Sequence, residues 1–396
     1  MGLFEKIFGG NAKDRAIRGY FETLTAYSPV FYTRSGGLYE AMETRAAIHA
    51  IATHCSKLKP HVNGPQGARL ERRLQLQMNP WQNTQQFLYR SATILETDNA
   101  CFLVPIEAEN GRTIGAFPVV PSACELVENN AGELFLRYHF STGNHAAVEY
   151  DRCGVLIKMQ YRNDFFPETN APLLPTLDLI DVQNQGIENG IKQAAAIRFL
   201  AKLANSLREE DIEKERERFR KTNLSAENNG GVLLYDTKYA EVKQLESKPF
   251  VVDADQMALI KGNVHDYFGT NEKILRNEWD EAVWSAFYEG KIEVFALQMH
   301  LALTQMYFSE REQALGNNIT FSANRLQFAK IEDKVNTIKE LFDRMMLSPD
   351  EGREILQMEP LPDGLGKKYY IRGEYLSEQE REAIKAAKAG KENTND

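Results

Sequence analysis

The sequence predicts an α+β fold of more than one lobe, and three observations carry that prediction. Helix-periodic runs occupy residues 40–58 and 85–96. Short β-type runs follow from 100 to 160, separated by turn signals. Beyond residue 177 the helical period returns, interrupted by a small insert that contains strands. At 396 residues the chain also exceeds one ordinary core.

In chain order, Ala47, Ile48, Ile51, Ala52, Cys55 and Leu58 recur at helical steps until Pro60 ends the run. His49 and His54 are five apart, too far round a helix to share a metal, and read as surface or packing residues. Met78-Asn79-Pro80-Trp81 is a turn into a helix with Phe87, Leu88, Ala92 and Leu95 inward. The runs 100–106, 113–119, 124–127, 134–140, 147–150 and 155–160 then read as an antiparallel meander, with turns at Asn110-Gly111 and Asn129 to Gly132.

After Pro167, Pro172 and Pro175, one long helix is expected over 177–205. Gly186, Gly190 and an alanine run keep it slim enough for close packing, within the chain or between copies. Ser206 and Glu209 have capping-box spacing. The helix they open places acid first and Arg216, Arg218, Arg220 and Lys221 last, matching the helix dipole. It is either a solvated face or a protein-docking face. Residues 232–235 and 239–245 read as strands, so a charged α/β insert spans 206–250 between two helices.

From Asp253 to Phe308 the pattern is helix, short polar loop, long helix, with Gly269 ending the first helix. The loop, 269–279, reads as an exposed tip. Asn271, Lys273, Arg276 and Asn277 are its groups best suited to touch phosphates, unless the two cations only pair with neighbouring acids. Ile274 and Leu275 are candidates for packing between loops of adjacent copies. A strand at 318–323, a helix at 329–346 and a helix start at Ser348-Pro349-Asp350-Glu351 follow. The charged tail from Ser377 lacks aromatics and is expected to fray.

The net charge of −9 argues against a protein that coats nucleic acid, but does not exclude a wall that DNA slides past. No apolar run is long enough to span a bilayer, and the start is too short for a secretory signal. Lys6 stands where a myristoylation signal needs Ser or Thr. Four scattered cysteines fit reduced thiols rather than a disulfide frame or zinc site. There is no phosphate-cradling Gly-rich loop, nucleophile elbow, His-Glu-x-x-His or Cys-x-x-Cys, and no tuned carboxylate pair. No catalytic, cofactor or metal site is expected.

The order of these parts resembles the portal proteins of tailed bacteriophages, in particular the compact portal family of long-tailed phages. The residues that carry the resemblance are Met1-Gly2-Leu3-Phe4 with Ile7-Phe8-Gly9, Asn79-Pro80 before Phe87-Leu88, and Asn99-Ala100-Cys101-Phe102. Gly269 with Glu272-Lys273-Ile274-Leu275, Phe287 to Glu293, and Ser348 to Glu351 with Arg353-Glu354 complete the set. Asn277-Glu278-Trp279-Asp280 departs from the Tyr-Ser-Asn-like stretch of many relatives.

The resemblance implies a portal-like architecture: a wing (1–172), stem helices (173–205 and 251–268), a clip (206–250), a tunnel loop (269–279), a return to the wing (280–324) and a helical crown (325–376). It implies a dodecameric ring at one capsid vertex in the virion, assembled in the bacterial host cytoplasm, with double-stranded DNA passing through. Its implied partners are its own copies, the large terminase subunit, a head-tail adaptor and the major capsid or scaffold protein, with no membrane. A protein-binding helical adaptor and a nucleic-acid enzyme with an unrecognised site are the competing readings.

Overall fold

A computed structural model describes residues 22–26, 31–32, 36–65, 67–108, 111–139, 145–194, 198–203, 208–223, 239–245, 253–322, 331–356, 358–359 and 361–369. The opening motif at 1–9, Ser206, the strand expected at 232–235 and the tail from 377 lie outside them. The chain divides into two compact units, Met1–Ala171 with His265–Asp396, and Pro172–Val264.

The first unit begins with β1 (Glu22–Ala26), β2 (Phe31–Tyr32), β3 (Gly36–Gly37), α1 (Met42–Cys55), β4 (Lys59–Asn63), α2 (Gly67–Leu76), β5 (Gln77–Asn79), β6 (Gln82–Asn83) and α3 (Thr84–Asp98). Asn83 accepts from the Gln86 amide and the Gln86 side chain answers, a reciprocal cap that starts α3. Asn99 ends it in the left-handed conformation, φ 61°, which Asn tolerates. Its amide then donates to the Glu168 carbonyl at 2.8 Å, and the chain turns directly into β7 (Ala100–Glu107).

β7 pairs with β8 (Thr113–Val119). β9 (Cys124–Glu128), β10 (Leu134–His139) and β11 (His145–Glu149) follow as a meander, and β12 (Gly154–Ile157) closes back on β7. The expected antiparallel β region is therefore present, as two sheets ordered β12-β7-β8 and β1-β9-β10-β11. Phe102, Val104 and Val119 from one sheet share a core with Leu126 and Leu136 from the other. Burying each such side chain is worth about 1.5–3 kcal/mol. β1 and α2 lie outside the elements expected from the sequence.

The second unit holds α4 (Leu174–Ala194), β13 (Arg198–Leu203), α5 (Glu209–Asn223), β14 (Tyr239–Leu245) and most of α6 (Ala254–Phe268). Here the expectation of one helix over 177–205 is corrected. The helix stops at Ala194, and Arg198–Leu203 pairs antiparallel with Tyr239–Leu245. Phe199-Leu200-Ala201-Lys202-Leu203 fits either period, and the distant partner strand decides.

After α6 the first unit resumes with α7 (Glu272–Arg276) and α8 (Glu281–Phe287). A π-helical turn (Tyr288–Ile292) leads into α9 (Glu293–Tyr307). α10 (Glu310–Ala314), β15 (Asn318–Ser322), α11 (Ile331–Asp343) and α12 (Pro349–Ile355) complete it. β15 pairs with β4. α9 packs against β12 so closely that a Cβ on Gly154 would meet Met306 Sδ at 2.7 Å. Ser348 and Glu351 form a capping box at the expected helix start.

The four cysteines are buried free thiols. Among the described residues no helix is long and apolar enough to cross a membrane, and no group of three or more His, Cys, Asp or Glu could hold a metal.

Candidate functional site

The segment between α6 and α8 is built by four successive caps. Thr270 N–H donates to the His265 carbonyl and Gly269 N–H to that of Asp266, both at 2.9 Å, which is a Schellman ending for α6. Gly269 takes the required positive φ, +64°. Asn271 opens α7 by accepting from the Ile274 amide at 3.0 Å.

A second Schellman ending closes α7. Glu278 N–H donates to the Lys273 carbonyl at 2.9 Å and Asn277 N–H to that of Ile274 at 3.3 Å, with Asn277 left-handed at φ 59°. Asp280 then caps α8 through the Val283 amide at 2.9 Å. Its carboxylate also pairs with Lys273 at 3.1 Å. The Val283 amide and Lys273 together hold that carboxyl below the usual carboxylate range.

Two sequence expectations need correction. The segment is not an open polar loop: it contains a helical turn. Nor is it exposed throughout, because Thr270 and Ile274 are buried at 5% and 2% exposure. Ile274 faces its own chain, where α7 lies against α1. Asn271, Lys273, Arg276 and Asn277 are all exposed, as a surface role requires. Yet Asn271 and Asn277 serve the backbone. Arg276 pairs with Glu272 at 2.5 Å, while Lys273 pairs with Asp280 at 3.1 Å.

The segment is anchored by residues that motif reading passed over. His54 of α1, 6% exposed, lies against Trp279 (5.4 Å), Trp284 (4.8 Å) and Phe287 (5.7 Å), measured between ring centroids. Burial first, then Lys57, lowers its pKa to about 4. It is a packing histidine, and its neutral ring joins α1 to both ends of α8. Close tryptophans at 279 and 284 were the signal available in sequence.

A second anchor lies under the C-terminus of α6. Glu96 and Lys158 form a buried ion pair, and the Lys158 ammonium is 5.8 Å from the centre of the Phe268 ring. Desolvation lowers the Lys158 pKa against the pull of Glu96. The Lys291 side chain, from the π-helical turn, passes so near Gly269 that a Cβ there would lie 2.4 Å from Lys291 Cε.

In the second unit, α5 carries the acid-then-base pattern as expected. Arg216 pairs with Glu213 at 2.5 Å and Lys214 with Asp211 at 3.7 Å. Arg216, Arg218 and Lys221 are exposed, and Arg220 lies in the same helical turn as Lys221.

The chain was compared with known proteins. The family described as phage portal protein matches residues 43–357. No curated relative matches in sequence. Among solved structures, the neck of an empty gene transfer agent (GTA) particle computed with C6 symmetry is similar, with TM-score 0.58, 14% identity, and coverage of 85% of this chain and 97% of that one. The virion of a native GTA particle gives TM-score 0.56 at 14% identity, covering 85% and 97%. The neck of a native GTA particle computed with C12 symmetry gives 0.55 at 14% identity, covering 89% and 99%. The structural likeness shows a shared fold, and the family match extends from α1 through α12. This chain belongs to the phage portal protein family.

Proposed function

We propose that this protein assembles as a closed ring at one vertex of a capsid and forms the channel for DNA packaging and ejection. The carrying observation is the family match over residues 43–357, which spans both units and the capped segment between α6 and α8. A similar chain occurs in a particle neck computed with C12 symmetry, in keeping with a twelve-membered ring.

In this reading residues 1–172 are the wing, and 173–205 with 251–268 form the stem. Residues 206–250 are the clip, 269–279 the tunnel loop, 280–324 the return to the wing and 325–376 the crown. The exposed Lys273 and Arg276 meet DNA phosphates weakly, because their own carboxylate partners reduce their pull. Arg216, Arg218, Arg220 and Lys221 give the clip a charged face for the large terminase subunit and then the head-tail adaptor. Complementary charge sets register there more than affinity. The role is structural, with no catalytic step, and the protein resides in the virion after assembly in the host cytoplasm alongside the major capsid or scaffold protein.

Negative-stain imaging of the purified full chain tests the reading. Rings with a central hole are expected. A species that stays monomeric over a wide range of concentration and salt overturns it and favours a protein-binding adaptor.

A further inference from the structure

One face of the first unit breaks with the acidic character of the chain. α2 carries Arg69, Arg72 and Arg73, exposed at positions that share one side of the helix. The helix's acid, Glu71, is turned away and accepts the Val62 amide of β4 at 2.8 Å. Among the described residues Arg69 and Arg72 have no ion-pair partner. Arg69 and Arg73 stand between two adjoining depressions, one bounded by Arg72 and Leu76, the other by Arg112 and Ile114. The carboxylate in the second depression, Glu312, is engaged by Arg112 at 3.1 Å and by the Ser309 amide at 3.0 Å. The cationic excess therefore remains. Leu76 is 70% exposed and Ile114 40% exposed beside it.

We infer that this arginine face is one side of the contact between neighbouring copies of the chain, and receives a carboxylate-bearing face of the next copy. The inference rests on the ring reading above. A closed ring needs heterologous contacts, in which one patch meets a different patch on its neighbour. With a net charge of −9, a second copy offers acid in excess to an uncompensated arginine cluster. Guanidinium groups suit such a contact because they pair with carboxylates in two-pronged fashion and desolvate more readily than ammonium groups. The exposed Leu76 and Ile114 favour a protein over DNA: phosphate contacts need no apolar neighbours, whereas protein interfaces combine an apolar core with a polar rim. Opposite charges on the two sides would also fix the direction in which subunits add.

The test is mass photometry and negative-stain imaging of the full chain carrying Arg69→Glu with Arg72→Glu, at low and high salt. Wild type should form rings whose assembly weakens as salt rises. The reversal should raise the concentration for half-assembly by about ten-fold or more, with an unchanged circular dichroism spectrum. R69K/R72K should retain rings. If the reversal fails to fold, R69Q/R72Q with the salt series replaces it, and the same loss is expected. Rings formed by the charge variant as readily as by wild type overturn the interface while leaving the ring reading intact. Intact rings with lost affinity for a short DNA duplex also overturn it and assign the face to phosphates. A wild type that never closes into rings removes the ring reading and this contact with it.

Discussion

The imidazole of His54 packs 4.8 Å from the ring of Trp284, edge to face at 61°, and so ties α1 to the first turn of α8. Burial keeps that ring neutral down to about pH 4. An unfolded chain takes up the same proton near its ordinary value of 6.5. Between those two values the unfolded state binds more protons, so this group's contribution to stability falls as pH drops. Asp98 acts in the opposite sense, because burial raises its carboxyl to about 6 from 3.8. Across that window the folded state binds more protons, and stability rises as pH drops. His54→Phe should therefore gain about 2 kcal/mol relative to wild type between about pH 7.5 and about pH 4.5, and Asp98→Asn should lose ground over the same interval. Urea unfolding at the two pH values checks both signs. A pH-independent difference for His54→Phe would mean that His54 takes up its proton in the fold at the same pH as in the unfolded chain.

The second expectation concerns the left-handed residue that ends α7. Asn277 has φ 59° and bears the second Schellman ending. A β-branched residue there should cost about 1–2 kcal/mol, while Gly should be close to neutral. Asn277→Val should lower the thermal midpoint by a few degrees, and Asn277→Gly should leave it unchanged. Equal losses in both variants would point to the Asn side chain rather than the backbone.

The contrast between this loop and the rest explains what the sequence disclosed. Ser348 and Glu351 lie three residues apart and cap as written, and the alternating runs from Ala100 onward become paired strands. These signals are local. The end of α4 was not local: Arg198–Leu203 becomes a strand only because Tyr239–Leu245 lies beside it. The π-helical turn at Tyr288–Ile292 gave no signal either, since one extra residue in a helical turn leaves the apolar pattern almost unchanged. For the loop, the four residues named from their types are exposed, but residue types could not reveal that Asn271 caps α7 and Asn277 ends it in the left-handed conformation. Nor could they show that Ile274 is buried against its own chain.

With the Asn271 side chain committed to capping, Lys273 and Arg276 are the loop's cations placed to meet DNA, and each is restrained by a neighbouring carboxylate, Asp280 or Glu272. Both pairs are exposed, so each contributes little to the fold. Lys273→Glu with Arg276→Glu should therefore spare folding and ring formation. At the loop surface it replaces two cations with two anions, which join Asp280 and Glu272 and repel phosphates. Packaged DNA per capsid should fall, and the deficit should shrink as salt screens the repulsion. The neutral variant Lys273→Gln with Arg276→Gln should lie between the reversal and wild type. Assembled particles with wild-type DNA content in the reversal variant would show that these two side chains serve only their local ion pairs. DNA would then pass the loop without their help.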